Sequence, residues 1–256
     1  MKPAGAVHCT VQGTTARVTL ANAGRHNALT AAMWRALREG FTALASQAQL
    51  RCIVIAGEGE HFAAGGDIAE FATFRFDRAA LQAFHDDTVA PALDALWACD
   101  VPVIAAIRGS CIGGGLEIAS QCDLRLASAD ARFGVPIGRL GMPMAPGEVQ
   151  AVARAGWAPV LRELLIGGAV LDAAQAQARG LVQEVASADA LDSAVAAAQA
   201  RIEAMSPQAL RLSKRTLRAW HTGRLQAEWA SLFDYADSAE HREGIQAFID
   251  KRTPRF

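Results

Sequence analysis

The chain of 256 residues lacks an excess of charge of either sign: 25 lysines and arginines face 26 aspartates and glutamates. That balance offers no general field for nucleic acid or for an anionic membrane, and it weighs against an RNA-binding role. There is no run near the roughly 20 apolar residues of a membrane span, and the start, Met-Lys-Pro-Ala-Gly-Ala-Val, has no apolar stretch long enough for a signal peptide. Five cysteines, an odd number without paired spacing, exclude a disulfide framework. Cys52 and Cys111 lie in or beside apolar strand-like runs, where cysteine serves as a small core residue. Repeats, low-complexity stretches and flexible linkers are also missing. These absences predict a cytoplasmic protein, long enough for a substantial core.

What is there is an alternation of strand-like and helix-like segments, which predicts an α/β core with many parallel connections. His8–Val11 and Arg17–Leu20 flank Gln12-Gly13-Thr14-Thr15 and read as a hairpin. Thr30 is placed to cap a helix carrying Met33, Trp34, Leu37, Phe41 and Leu44 on one side. Residues 51–56 and 102–107 read as buried strands, and a helical stretch over 79–98 separates them. Short strands are expected at Leu124–Ala127, Ala131–Gly134 and Leu181–Val185. From about 147 the chain reads as mostly helical. One apolar stripe runs through Leu191, Val195, Ala198, Ile202 and Met205, and Ser206-Pro207 opens a further helix. Its Arg211, Lys214, Arg215 and Arg218 are expected to be a solvated face.

Two glycine turns carry the chemistry. Ala64-Gly65-Gly66-Asp67 and Gly113-Gly114-Gly115-Leu116-Glu117 each follow an apolar run. Glycine lets backbone N–H groups approach a ligand, and two N–H groups converging on one oxygen form an oxyanion hole. The second turn opens a helix, whose positive end favours negative charge. Phosphate binding is an alternative for such a turn, but neither Gly-Lys-Ser/Thr nor a dinucleotide glycine pattern is present. Glu117 sits in the first helical turn, suited either to a structural carboxylate or to acid–base work.

Glu60-His61-Phe62-Ala63-Ala64-Gly65-Gly66-Asp67-Ile68 and Ile112-Gly113-Gly114-Gly115-Leu116-Glu117-Ile118-Ala119 resemble the two turns of the enoyl-CoA hydratase/isomerase (crotonase) superfamily. Arg25-His26-Asn27-Ala28-Leu29, Phe133-Gly134-Val135-Pro136 and the ending from Phe248 to Phe256 are similar to further segments of that family, in the same order. The resemblance implies a crotonase-like spiral of repeated ββα units (residues 1–195) holding the acyl-CoA site. It also implies a helical C-terminal trimerisation region (196–256), giving a homotrimer or a hexamer built as a dimer of trimers. The backbone N–H groups of Gly66 and Gly114 would grip the thioester oxygen, with glycine at 66 leaving room beside it, and Glu117 would act as general acid and base. Arg25, Ala64, Ile68 and Lys251 would meet the CoA moiety. No metal or separate cofactor is implied, because CoA enters as part of the substrate.

One position departs from the family pattern. The second glutamate expected after the proline of Phe-Gly-x-Pro-Glu is Ile137 here. Addition of water to an α,β-unsaturated acyl-CoA remains the favoured expectation. Isomerisation, decarboxylation, thioester hydrolysis or non-catalytic acyl-CoA binding stand as alternatives. The missing base counts against isomerisation more than against hydration. Glu148 reads first as a helix N-terminal carboxylate near the site wall and second as a replacement for the missing acid. Arg139 reads as a surface or subunit contact before a partner for a substrate carboxylate. Asp67 is expected to orient the first turn, and His61 and His85 have no partner evident by spacing.

Overall fold

The computed structural model describes residues 5–72 and 74–256. Residues 1–4, part of the segment read as lacking a leader, lie outside the described residues. Strands β1 (Ala6–Gln12) and β2 (Thr15–Ala21) form the expected hairpin, with Ala6 opposite Ala21. Helix α1 (Ala31–Ala45) begins at Thr30, whose side chain accepts from the Met33 N–H, and buries Met33, Trp34, Leu37, Phe41 and Leu44. Every member of that apolar stripe sits where a 3.6-residue period puts it.

Strand β3 (Cys52–Gly57) leads through the first glycine turn to a short helix α2 (Ile68–Phe71). The expected helical stretch from 79 to 98 is continuous but uneven. It comprises α3 (Arg78–Ala83), a π-helical segment Phe84–Val89 and α4 (Ala90–Ala98). Next come β4 (Val103–Ile107), β5 (Ser110–Ile112), α5 (Gly114–Ser120), β6 (Leu124–Ser128) and β7 (Arg132–Gly134). The helical half contains α6 (Pro146–Val152), α7 (Ala158–Leu165), a strand β8 (Val170–Asp172) that the pattern did not predict, and α8 (Ala173–Ala178). Strand β9 occupies Glu184–Ala186 rather than 181–185, because pairing with β6 starts at Glu184, opposite Leu126, while the Leu181 N–H still donates to Ala176 O at the end of α8. Helices α9 (Leu191–Glu203), α10 (Pro207–His221), α11 (Leu225–Glu228) and α12 (Ala239–Ile249) complete the chain.

The main sheet has the order β1-β2-β3-β4-β6-β9; only the first pair is antiparallel. A second sheet, β5-β7-β8, lies alongside. Strands β3 and β4 are buried on both faces, and their period of two divides the core. Ile53, Ile55, Val103, Ala105 and Ile107 join the large cluster with α1 and α4. Cys52, Val54, Ala56, Ile104 and Ala106 meet Leu191, Val195, Ala198 and Ile202 of α9 on the other side. The stripe on α9 therefore seals the sheet, and the expected boundary at 195/196 falls inside this helix. Met205 does not belong to it: the helix has ended and Met205 is 44% exposed.

The basic face of α10 is not a solvated one. Arg211 Nη2 donates to Leu50 O (2.8 Å), Lys214 Nζ to Val101 O (3.0 Å) and Asp123 Oδ2 (2.6 Å), and Arg215 Nε to Asp100 Oδ2 (2.7 Å). Arg218 joins Asp100 as well. These cations cover carbonyls and carboxylates just before β3, β4 and β6, so the charge run fastens α10 to the core. Among the described residues, no helix is long and apolar enough to cross a membrane.

Candidate active site

The two glycine turns emerge side by side because their strands pair. Ala63 N–H donates to Ser110 O (2.9 Å) and Ile112 N–H donates to Ala63 O (3.0 Å). A Cβ added to Gly113 would lie 3.6 Å from Gly65 Cα, so the turns are in contact. Asn27 fixes the approach to the first turn: its Nδ2 donates to Glu58 O (2.9 Å) and His61 O (2.7 Å). His61 in turn accepts from the Ser110 N–H (3.1 Å), which makes it a structural link between the turns.

Among the described residues, two backbone donors are left over at this junction. Leu29 N–H donates to Gly65 O (2.7 Å), and Leu29 O accepts from Asp67 N–H (2.8 Å). Both ladder bonds bypass the Gly66 N–H. Gly114 is the first residue of α5, where a helical N–H has no intrahelical acceptor. Gly113, just before it, has φ +52 and ψ −117, a conformation that glycine alone adopts freely. Gly66 and Gly114 both line a cavity of about 220 Å³, together with Trp34, Ala64, Ile68, Glu117, Ile137 and Glu148. On the side where a side chain would stand, a Cβ at Gly66 would come within 3.0 Å of Phe71 Cζ, so the small residue admits the Phe71 ring.

Glu117 is buried, on α5, one helical turn past the unpartnered amides. Burial pushes its carboxyl well above the ordinary range; the charge of Glu148 adds to this and Arg75 opposes it. Glu148 is buried on α6, and its Oε2 accepts from the Ala145 N–H at 3.4 Å. It is thus a helix N-terminal carboxylate and a cavity residue at once. Its other oxygen, Oε1, is hydrogen-bonded to His85 Nδ1. The expectation that His85 lacks a partner is therefore corrected: 63 residues of sequence separate the two, and only the fold brings them together. Ile137 follows Pro136 in a 3-10 turn and presents hydrocarbon to the cavity.

The other expected residues divide. Ala64 and Ile68 line the cavity, and Ile68 is 60% exposed at its mouth. Arg25 Nη1 lies 2.5 Å from Asp67 Oδ1, which also accepts from Ala69 N–H (3.1 Å) and caps α2. Asp67 orients the turn as expected, and Arg25 is held beside it. Lys251 is exposed just after α12, with φ +54. Arg139 is exposed and does not line this cavity among the described residues. Sequence reasoning missed Arg75, which lines the cavity with its guanidinium 3.9 Å from the Phe71 ring centre. Nothing in the sequence marks it out among the chain's other arginines.

A spiral of parallel strands that sets two glycine-turn amides above a buried glutamate defines the crotonase class of acyl-CoA enzymes. Residues 10–256 match the family model described as enoyl-CoA hydratase/isomerase, and the chain belongs to that family. It is 34% identical over 243 residues to the probable enoyl-CoA hydratase echA8 of Mycobacterium tuberculosis (strain CDC 1551 / Oshkosh), covering 93% of each chain. The same identity and coverage relate it to the 2,3-dehydroadipyl-CoA hydratase of Escherichia coli (strain K12). Among solved structures, an enoyl-CoA hydratase/carnithine racemase from Magnetospirillum magneticum superimposes with a TM-score of 0.91. The two are 37% identical over 98% of this chain and 94% of that one. The protein is an enzyme of this family, with crotonase-type chemistry on acyl-CoA thioesters.

Proposed function

We propose that the protein adds water across the double bond of a 2-enoyl-CoA, with Glu117 and Glu148 sharing the proton transfers. The observation that carries this reading is the convergence of two buried carboxylates on one cavity beneath two unpartnered amides. As water attacks the β-carbon, negative charge develops on the thioester oxygen, and the N–H groups of Gly66 and Gly114 donate hydrogen bonds to it. One such donor is worth about 2.7–4 kcal/mol of transition-state stabilisation. Glu117, with its raised pKa, keeps a proton to give to the α-carbon. Glu148, oriented by the Nδ1–H of His85, takes the proton that water loses as its oxygen bonds to the β-carbon. The net change is one water added, and the proton left on Glu148 returns to Glu117 through solvent. Environments that separate two neighbouring carboxyls are a recurrent way to make one an acid and the other a base.

In this reading Glu148 replaces the glutamate whose place Ile137 holds. Arg25 and Lys251 would meet the CoA phosphates, with Ala64 and Ile68 against the adenine. The exposed Leu217, Trp220, Trp229, Phe233, Phe248 and Ile249 of the C-terminal helices support a trimer or a hexamer. Five free thiols suit a reducing, cytoplasmic compartment.

The test is loss of enoyl-thioester absorbance with a series of 2-enoyl-CoAs, using wild type, Glu117→Gln and Glu148→Gln. Each substitution is expected to lower kcat by about 10²–10⁴. Hydration by Glu117 alone would leave Glu148→Gln near wild type. Binding without turnover of any 2-enoyl-CoA would overturn the reading in favour of decarboxylation, thioester hydrolysis, isomerisation or simple acyl-CoA binding.

A further inference from the structure

We propose that Arg75 binds a free carboxylate on the acyl group, so that the preferred substrate is the CoA thioester of an unsaturated dicarboxylic acid. Arg75 stands where the inner cavity meets a larger outer one of about 870 Å³ and lines both. The outer walls are largely hydrocarbon, from Ile68, Leu81, Met142, Met144 and Pro146, with Arg78 and Asp86 at the exposed rim. A purely apolar acyl chain gains nothing from a guanidinium placed between two such spaces.

The guanidinium is held but not satisfied. It lies 3.9 Å from the Phe71 ring centre and 5.8 Å from that of Phe74, two cation–π contacts that hold it in place. Among the described residues Nη1 has only the thioether sulfur of Met142 at 3.0 Å, a weak acceptor. Nε is shielded from water and has no acceptor among the described residues. Its charge is felt by Glu117 and Glu148, yet no carboxylate of the described residues lies within ion-pair distance. A buried donor left unpaired is costly, and a planar fork of donors matches a carboxylate in two-point geometry. A ligand oxygen would remove the deficit.

The anion must come from the acyl end. Phe71 touches both the guanidinium and the space over Gly66, so one phenyl ring separates Arg75 from the amide assigned to the thioester. The CoA phosphates lie a whole pantetheine arm away from that atom. The inference rests on the acyl-CoA reading of this cavity but not on which reaction follows.

Binding of saturated thioesters separates the two questions, because none of them can be hydrated. Succinyl-, glutaryl- and adipyl-CoA would be titrated calorimetrically beside butyryl-, valeryl-, hexanoyl- and free CoA, using wild type, Arg75→Met and Arg75→Lys. Wild type is expected to bind at least one dicarboxylyl thioester about tenfold or more tighter than its same-length monocarboxylyl partner. Arg75→Met should erase that ratio and Arg75→Lys restore part of it. A wild-type ratio near one for every pair would overturn the proposal even if neither variant folds. So would an Arg75→Met penalty equal for free CoA and the dicarboxylyl thioester, which would assign Arg75 to the phosphates. Failure of the hydratase reading shows separately, as no turnover of any 2-enoyl-CoA alongside an intact binding ratio.

Discussion

Glu148 Oε1 is hydrogen-bonded to His85 Nδ1, a pairing that ties the π-helical segment to the first turn of α6. With a carboxylate as acceptor, Nδ1 carries the hydrogen, and the ring holds one oxygen while the other stays within 3.4 Å of the Ala145 N–H. His85→Ala should leave Glu148 free to turn and lower kcat about 10- to 100-fold with little change in KM, since small misplacements of a reacting group carry such penalties. His85→Asn, which can still donate, should recover part of the loss. Steady-state hydration kinetics check this, and a variant that loses thermal stability but keeps kcat would make the pair structural only.

Glu117 makes stability depend on pH in a defined direction. Its folded carboxyl titrates well above the unfolded value of about 4.3, mainly because it is buried and secondarily because Glu148 is near. Between those two values the folded chain holds more protons than the unfolded one. Stability must therefore fall as pH rises from the unfolded value through the folded one. Glu117→Gln keeps the shape without the titration. Its melting temperature should gain on that of wild type as the pH rises from the unfolded value of about 4.3 towards the folded one. A difference that does not grow with pH would mean Glu117 is ordinary.

Gly114→Ala tests the amide that opens α5. An added Cβ would lie 2.8 Å from Trp34 Cζ2 and 2.9 Å from Leu29 Cδ1, and both side chains are buried. Neither can move freely in a packed core, so the helix start must shift. A stability loss of about 1–3 kcal/mol is expected. If the Gly114 N–H meets the thioester oxygen, kcat should fall about 10²-fold or more. Chemical denaturation and kinetics on the same preparation separate the two effects.

Much of this was legible from local pattern. Thr30 with its stripe to Leu44, the two buried strands and the two glycine turns are each written in a few contiguous residues, and the structure has them where the spacing put them. The crotonase family was legible because those turns come in order. What escaped depends on pairs distant in sequence. His85 and Glu148 look like an isolated histidine and a helix-start acid until the π-helical segment and α6 pack. Arg75 looks like any surface cation until Phe71 and Met142 enclose it. Gly66 suggested open space, and a sequence cannot show that Phe71 takes the side where its Cβ would stand. The basic run of α10 failed for the opposite reason: amphipathic spacing tells which residues share a face, not what that face meets.

That face supplies the last prediction. Asp100 ends the connection before β4 and receives Arg218 and Arg215 of α10. Burial alone would raise its pKa, but the hydrogen bonds and charges of Arg218 and then Arg215 outweigh this and hold it below its usual 3.8. Because the folded value is depressed, the contribution is present above the unfolded pKa of about 3.9 and is lost as pH falls through the folded value. Arg215 is half exposed, its side chain 52% accessible, and solvent screens its share. Asp100→Asn should therefore cost only about 1 kcal/mol at neutral pH. In urea titrations the gap between wild type and variant should narrow as the pH is lowered below about 4. A gap that stays constant across that range would mean the aspartate acts through its shape and not its charge, and that α10 is held by its bonds to Leu50 and Val101 instead.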